Sequence, residues 1–318
     1  MKYKVCLIGL GDIGFAYDKN LSNKFILSHS RAIIRHKKFD LVAGVDLSPK
    51  KRKSFFEFYK INTYSSIKEA INSESFDIFI ISTPTNNHLK CLEEIARYQK
   101  NKIILCEKPL SYSLSEAREM LKIGKKNNLH LFVNYMRRSD PSSLYIKKII
   151  ASLDKKSIIK GNVFYTDGFF NCGSHFLNLL EMFFGKINSF NLINKKIKPN
   201  GDFDVDVLLS FNRSKIMFMS IPHSNYFHYS MNFFSKSGRL IYEDGGENIN
   251  WISPQYDPVF KKELSLNFYK KISNSMYKYQ YSVLNELYFF LNDKPYSLCT
   301  GKEAYETLKI MHKICRKS

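Results

Sequence analysis

Nothing in this chain provides for a membrane span, an export route or a covalent clamp. No stretch approaches the ~20 consecutive apolar residues of a membrane-crossing helix. The N-terminal Met-Lys-Tyr-Lys is followed only by a short apolar run, Val5 to Leu10, and no small-residue cleavage site, so it does not read as a secretory signal. The six cysteines (Cys6, Cys91, Cys106, Cys172, Cys299, Cys315) form no Cys-x-x-Cys pair, and several stand in apolar runs. That usage predicts a reduced, cytoplasmic protein with no structural zinc and no other metal. Internal repeats and low-complexity linkers are lacking as well. Acidic residues are outnumbered: 29 Asp and Glu against 49 Lys and Arg, a formal net charge of +20. Such a charge raises the question of nucleic acid. The basic residues are scattered, however, in groups such as Lys50 to Lys53, Lys147–Lys148 and Lys270–Lys271, with no aromatic-basic groove or nucleic-acid motif. A solvated lysine-rich surface is the better reading, with no nucleic-acid and no membrane partner; its positive field favours an anionic small substrate.

What is present has two grammars. The 318 residues suggest two domains, and a hydrophobic content of 44% suffices for real cores. Up to Val133, short runs rich in Val, Ile and Leu (Tyr3 to Ile8, Leu41 to Val45, Asp77 to Ile81, Ile103 to Cys106, His130 to Val133) read as buried parallel strands. Helical stretches alternate with them: His29 to His36, Ser65 to Asn72, His88 to Tyr98, and Leu114 to Lys126 behind the capping box Ser113-Leu-Ser-Glu116. This is the pattern of an α/β, doubly wound parallel sheet. After Asp140-Pro141 a helix (Ser143 to Leu153) leads into strands, among them Phe203 to Phe211, Lys215 to Ile221, Tyr226 to Phe234 and Arg239 to Glu243, which predict a largely antiparallel sheet. A helix from Ser174 to Phe184, with Ser174 as its cap, interrupts them. Helix-forming stretches from Ser275 to Asn292 and Lys302 to Cys315 close the chain. The expected domains are 1–138, a Rossmann domain binding NAD(P), and 139–318, an α+β domain for substrate and oligomerisation, with the last helix available to pack back on the first.

Gly9-Leu-Gly11-Asp12-Ile13-Gly14 follows the first strand directly, where glycines permit a tight turn and close backbone approach to a pyrophosphate. Asp46 ends the second strand, where a carboxylate accepts hydrogen bonds from ribose hydroxyls and repels a 2′-phosphate. NAD is therefore favoured over NADP. Lys50, Lys51 and Arg52 follow closely and leave NADP open. Asp46 lies 32 positions beyond Gly14, against an ordinary spacing of about 20. The stretch Tyr17 to Ser28 accounts for the excess and reads as an insertion, either a neutral surface loop or a wall beside the cofactor phosphates and the site mouth.

Strand Ile103 to Cys106 runs into Glu107-Lys108-Pro109, and a lysine at the carboxyl end of a doubly wound strand can reach bound cofactor and substrate. The glycine turn, Thr83-Pro84-Thr85-Asn86-Asn87-His88, Glu107-Lys108-Pro109, Asn134-Tyr135-Met136-Arg137-Arg138 and Gly173-Ser174-His175 occur in the order and rough spacing of the glucose–fructose oxidoreductase / inositol dehydrogenase (Gfo/Idh/MocA) family, which the chain resembles over nearly its whole length. The resemblance implies a Rossmann domain followed by an open-faced α/β domain, a homodimer or homotetramer, and hydride transfer between a nicotinamide and the hydroxyl-bearing carbon of a sugar or nucleotide sugar, for example in surface-polysaccharide sugar biosynthesis. It implies Lys108 and His175 as catalytic residues, and cofactor contacts from Glu107, Lys108 and the 83–88 loop, among them Thr83, Pro84, Asn87 and His88. Arg137 and Arg138 are expected on the substrate. Asn171 and Asn178 replace aspartates common in the family.

Oxidising an alcohol requires removal of its hydroxyl proton, which a lysine accomplishes when burial and a positive nicotinamide lower its pKa. Histidine can share or relay that proton. Asparagine can orient a hydroxyl but takes no proton, so Asn171 is expected to position substrate or hold the tautomer of His175. Cys172 reads as a small packing residue. A non-catalytic NAD-binding regulatory or assembly protein on the same fold stays open as the alternative, because both aspartates are replaced.

Overall fold

The computed structural model describes residues 2–154, 156–222 and 225–317. In chain order its strands and helices are β1 (Tyr3–Ile8), α1 (His29–Arg35), β2 (Phe39–Val45), α2 (Pro49–Tyr59), β3 (Thr63–Tyr64), α3 (Ile67–Ser73), β4 (Ile78–Ile81), α4 (His88–Tyr98), β5 (Ile103–Cys106), α5 (Leu114–Lys126), β6 (His130–Val133), α6 (Pro141–Ser152), β7 (Ile159–Tyr165), α7 (Ser174–Phe184), β8 (Ser189–Ile197), β9 (Phe203–Ser210), β10 (Ser214–Ser220), β11 (Tyr229–Ser235), β12 (Gly238–Glu243), β13 (Asn248–Tyr256), β14 (Leu264–Lys271), α8 (Tyr279–Phe290), β15 (Cys299–Thr300) and α9 (Gly301–Arg316). They form two compact units, residues 1–139 with 277–308, and residues 140–276 with 309–318.

The first unit is built on a sheet of order β15-β6-β5-β4-β1-β2-β3, parallel except for β15. The central strands β4 and β5 are buried along their whole length, which is why they read as continuous apolar runs rather than alternating ones. The chain crosses from one side of β1 to the other, so β1 lies between β2 and β4. That reversal leaves a crevice at the carboxyl ends of the strands. Val283, Leu284, Leu287 and Leu298 join Val5, Leu7, Ile33 and Phe39 in one apolar core, so the chain's C-terminal portion completes the nucleotide-binding unit. Helix starts are capped by Ser28, Ser48, Ser66 and Ser113, each accepting the backbone N–H three residues on.

Helix α2 is a departure from the sequence reading, which saw only a basic cluster there. Ser48 caps it, Pro49 occupies its first turn, and Lys60 in the left-handed region ends it. Phe55 is its one buried residue, so no apolar stripe announces the helix.

The second unit carries an eight-stranded sheet of order β14-β13-β12-β11-β7-β10-β9-β8. All neighbours pair antiparallel except β7 and β10, which are parallel. The strands missed in the sequence include both edges, β8 and β14, whose residues are mostly exposed. An edge strand with little cover has no need of the alternation that betrays a half-buried one.

The insertion is a folded piece of the first unit. Asp18 is fully buried; its carboxylate accepts the backbone N–H groups of Leu27 (2.7 Å) and Ser28 (2.9 Å) and the Ser28 hydroxyl (2.7 Å). The buried Arg31 guanidinium pairs with that carboxylate at 3.5 Å and donates to the carbonyls of Asp18, Leu21, Ser22 and Phe25. Beneath the excursion, the N–H groups of His29 and Ser30 donate to the carbonyls of Ile13 and Gly14, each at 3.0 Å. Helix α1 thus begins directly on the glycine turn, and the inserted residues loop out of the join. Removing one partner of a buried pair leaves an uncompensated charge, so Asp18→Ala should destabilise the unit by about 3–5 kcal/mol. Urea denaturation measures this, and an unchanged midpoint would mean that the carbonyl cage alone satisfies Arg31.

Candidate active site

In the first unit a cleft of about 530 Å³ opens at the strand reversal, with Gly11, Asp12, Ile13, Asp46, Lys51 and Thr83 among its walls. Two glycines are dictated by contact. Gly9 has φ +96°, and a Cβ there would lie 2.7 Å from the Ser82 backbone; a Cβ on Gly14 would lie 2.1 Å from the Gly9 carbonyl oxygen. At Gly11 the nearest atom to such a Cβ is Lys51 Nζ at 3.8 Å, so that glycine leaves the cleft floor open to a close-lying ligand. Ser82 donates its hydroxyl to the Ile8 and Gly9 carbonyls and holds the turn down on β4. The cradle fits a dinucleotide pyrophosphate: bare backbone at Gly11, with side chains removed wherever the chain doubles back.

Asp46 lines the same cleft at the end of β2. One carboxylate oxygen accepts the Leu10 N–H and the other the Ser48 N–H, both at 2.8 Å, while Lys51 Nζ lies 4.0 Å away. Lys51, half-exposed, therefore brings a cation to the edge of this carboxylate. Pro84 and Asn87 also line the cleft. His88 does not: it is completely buried, its two ring nitrogens at 3.0 Å from the Thr83 carbonyl and 3.2 Å from the Leu110 carbonyl. The expectation that His88 contacts cofactor is corrected; it ties the cleft loop to the segment after Pro109.

Glu107 is also drawn inward. Its Oε1 lies 2.7 Å from His29 Nε2 and 2.6 Å from Asn134 Nδ2, and its Oε2 accepts the Lys108 backbone N–H at 3.3 Å. A carboxylate can only accept, so His29 carries its proton on Nε2 here. Asn134 Nδ2 also reaches Gln280 Oε1 at 3.0 Å. Burial alone would push the Glu107 carboxyl up, but the hydrogen bond and positive charge of His29, with Asn134 and Lys108, hold it below the ordinary glutamate range. Lys108, followed by a cis peptide bond to Pro109, thus leaves β5 from an anchored backbone. Tyr17, from the insertion, lines the cleft, and burial followed by the charges of Asp12 and Glu107 raises its pKa. Burial, then Glu107, raises that of Tyr279, whose surroundings include Tyr17 and Arg137.

The paired arginines separate. Arg138 is buried, its Nη2 2.6 Å from Glu303 Oε1 and its Nε 3.1 Å from the Ser297 carbonyl oxygen. It fastens the C-terminal portion to the turn after β6, a structural use that the sequence did not suggest. Arg137 is buried beside Tyr279.

In the second unit, His175 is the second residue of α7. Ser174 is not the cap: a π-helical turn, Gly168–Gly173, runs straight into the helix, and Ser174 Oγ donates to the Asn171 carbonyl oxygen at 2.9 Å. His175 and Asn178 are buried, whereas Asn171 is exposed. Asn171 Nδ2 donates to Asp167 Oδ2 at 2.6 Å, and the Asn171 N–H to Asp202 Oδ2 at 3.1 Å. Cys172 has more than a packing role, with its Sγ 3.0 Å from the Tyr229 hydroxyl.

Residues 3–135 match the Gfo/Idh/MocA family, described as an oxidoreductase family with an NAD-binding Rossmann fold. The match lies within the first unit of the chain. It is 30% identical over 145 residues to the oxidoreductase YrbE of Bacillus subtilis, covering 45% of this chain and 38% of that protein. It is 30% identical over 124 residues to inositol 2-dehydrogenase of Rhizobium meliloti, covering 38% of this chain and 36% of that one. The matches thus span well under half of these relatives' lengths. The fold extends further: the WlbA dehydrogenase of Bordetella pertussis, solved with NADH and UDP-GlcNAcA, superposes with a TM-score of 0.75 over 99% of this chain and 95% of that one, at 18% identity. Residues 3–135 accordingly carry an NAD-binding Rossmann fold.

Sequence reasoning gave no role to Tyr17, His29, Asn134, Gln280, Tyr279 or Asp167. Asn134 stood in a quoted motif, and only its position at the end of β6 reveals its use. Asp167-Gly168 is a turn signal, but it carried no meaning while β7 was unassigned. Among the described residues, no group of three or more His, Cys, Asp or Glu side chains could hold a metal ion, and no helix is long and apolar enough to cross a membrane.

Two outcomes follow from this geometry. NADH should bind more tightly than NADPH, and Asp46→Ala should weaken NADH by roughly 10- to 100-fold, the scale of lost hydrogen bonds to a charged group. Calorimetric titration checks both, and tighter NADPH binding by the wild type would show that Lys51 governs the pocket. Because the folded-state pKa of Glu107 is depressed, its contribution to stability is present above the unfolded glutamate pKa and is lost as pH falls through the folded one. The stability gap between wild type and Glu107→Gln should therefore be level at neutral pH and close in acid, as followed by denaturation at a series of pH values.

Proposed function

We propose that the protein is a dehydrogenase or reductase that transfers a hydride between NAD(H) and a hydroxyl-bearing carbon of a sugar or nucleotide sugar. The observation that carries this reading is the placement of Lys108, at the carboxyl end of β5, with its backbone N–H held by the part-buried Glu107 carboxylate. When bound, the nicotinamide supplies the hydride acceptor. The chain's own residues then divide the work. Asp46 accepts the ribose hydroxyls, and the bare turn at Gly11 admits the pyrophosphate. Lys108 Nζ receives the hydroxyl proton of the substrate as its carbon is oxidised. In the second unit, His175 is the candidate for sharing a proton and Asn171 the candidate for orienting a hydroxyl, since its amide accepts no proton at neutral pH. Arg137 remains a candidate for an acidic or phosphorylated part of the substrate.

The sugar class is supported by the named relatives: an inositol dehydrogenase in sequence, and in fold a dehydrogenase solved with NADH and a nucleotide-linked sugar acid. The net charge of +20 suits an anionic ligand of that kind. We also propose a homo-oligomer. Strand β14 and the turn before it expose Val259, Phe260, Leu264, Phe268 and Tyr269, an apolar surface of the sort that marks a protein interface. A binding-only role on the same fold is the second reading, favoured by the asparagine at position 171.

A screen of polyols, sugars and nucleotide sugars with NAD⁺ or NADP⁺, following reduced cofactor, tests the proposal. With the substrate so found, Lys108→Ala should lower kcat by about 10²–10⁴-fold, the usual contribution of a positioned acid–base group. Its NADH affinity should change far less. Cofactor binding without turnover across the whole panel would favour the binding-only reading.

A further inference from the structure

The turn that leads into α7 carries a carboxylate that nothing above puts to use. Position 171, one helical turn before His175, is asparagine. One further turn back stands Asp167, whose Oδ2 accepts the Asn171 amide at 2.6 Å. Its backbone is in the left-handed region at φ +62°, which aspartate and asparagine adopt more readily than other non-glycine residues. The next residue, Gly168, has φ +89°, and a Cβ there would lie 2.2 Å from Asp202 Oδ2. Asp202 in turn accepts the N–H groups of Phe170 (2.9 Å) and Asn171 (3.1 Å). The turn is thus fixed from behind, and the Asp167 side chain is held at one place.

That place is the wall of a cavity of about 370 Å³ within the second unit, lined also by Thr166, Lys196, Asp204, Tyr226 and Phe227. Lys198, another lining residue, lies 3.6 Å from Asp204, so the cavity presents both charges in balance and not a bare cationic patch. The Tyr226 and Phe227 rings are 62% and 77% exposed. Carboxylates accept hydrogen bonds from hydroxyl groups, and exposed aromatic rings offer an apolar surface with, for tyrosine, a polar tip. A ring with hydroxyls along its edge and C–H groups on its faces uses both.

We propose that Asp167 supplies, from the turn before α7, the carboxylate that position 171 lacks, and that it accepts a hydroxyl of a cyclic polyol or sugar ring bound in this cavity. This rests on the proposed oxidoreductase activity and assigns one part of its substrate site. The pair Asp167–Asn171 is then an exchange of places: the amide stands at the later position and the acid one turn earlier, joined by a hydrogen bond.

The test measures steady-state kinetics with myo-inositol, glucose, UDP-N-acetylglucosamine and UDP-glucuronate for wild type, Asp167→Asn, and the double variant Asp167→Asn/Asn171→Asp. Asparagine tolerates the left-handed backbone, so the single variant keeps the turn. Asp167→Asn should raise KM by about 10- to 100-fold, the range for a hydrogen bond to a charged acceptor, with a smaller fall in kcat. NADH affinity and the urea midpoint should stay at wild-type values. The double variant, which returns a carboxylate to position 171, should recover most of the lost kcat/KM. A wild-type KM in Asp167→Asn, or a loss of NADH affinity or stability that parallels the KM change, would overturn the assignment of Asp167 while leaving the activity standing. A wild type that binds NADH but neither binds nor turns over any of the four compounds would overturn both.

Discussion

The part-buried carboxylate of Glu107 is the interaction on which the first unit's chemistry depends. It is reached by His29 at the start of α1, by Asn134 at the end of β6 and by the backbone of Lys108 after β5, and Asn134 extends the link to Gln280 on α8. An unpaired carboxylate in that position would be strongly penalised by desolvation. Each of its partners is therefore held in place by the need to satisfy it. The glycine turn, the lysine loop and the C-terminal portion of the chain are separated by long stretches of sequence, and this one group fixes their mutual register. The glutamate expected to contact cofactor also serves as the post on which the backbone of Lys108 is mounted.

The legibility of the fold varied with burial. Strands β1, β5 and β6 and helices α4 and α5 could be bounded from the sequence alone, because the strands are packed inside the sheet and the helices carry a clear apolar face, behind a serine cap in α5. Helix α2 was hidden, since one buried phenylalanine makes no periodic pattern. Strands β8 and β14 were hidden because an edge strand has little core-facing side to alternate with. The unit boundary has a similar character. A change of pattern after Asp140 is visible in the chain, but the return of residues 277–308 to the first unit is a matter of tertiary contact, to which local periodicity is blind.

In the candidate site, the glycines were legible because their reason is steric and local. The roles of the charged residues were not, because an exposed and a buried arginine look alike in sequence. Arg137 and Arg138 are adjacent, yet Arg138 is consumed by Glu303 and the Ser297 carbonyl. His88 was assigned by its neighbours in the motif, and only the structure shows both its nitrogens turned to backbone carbonyls. The asparagine at position 171 was recognised as a gap in acid chemistry. The acid that faces it belongs to a turn whose preceding strand had not been recognised.

The way the insertion leaves and rejoins the chain has a consequence for how this protein can vary. The carbonyls of Ile13 and Gly14 meet the N–H groups of His29 and Ser30 as though the intervening residues were absent. The excursion is therefore closed at its ends and stitched to α1 by Asp18 and Arg31. Its exposed residues, Asn20 to Lys24, can drift without altering the sheet, the glycine turn or the glutamate post. Its first residue, Tyr17, stands in the cleft wall. The scaffold thereby separates two rates of change: the glycine turn is locked by contact, while one side of the same cleft is carried on a segment whose outer positions are open to substitution.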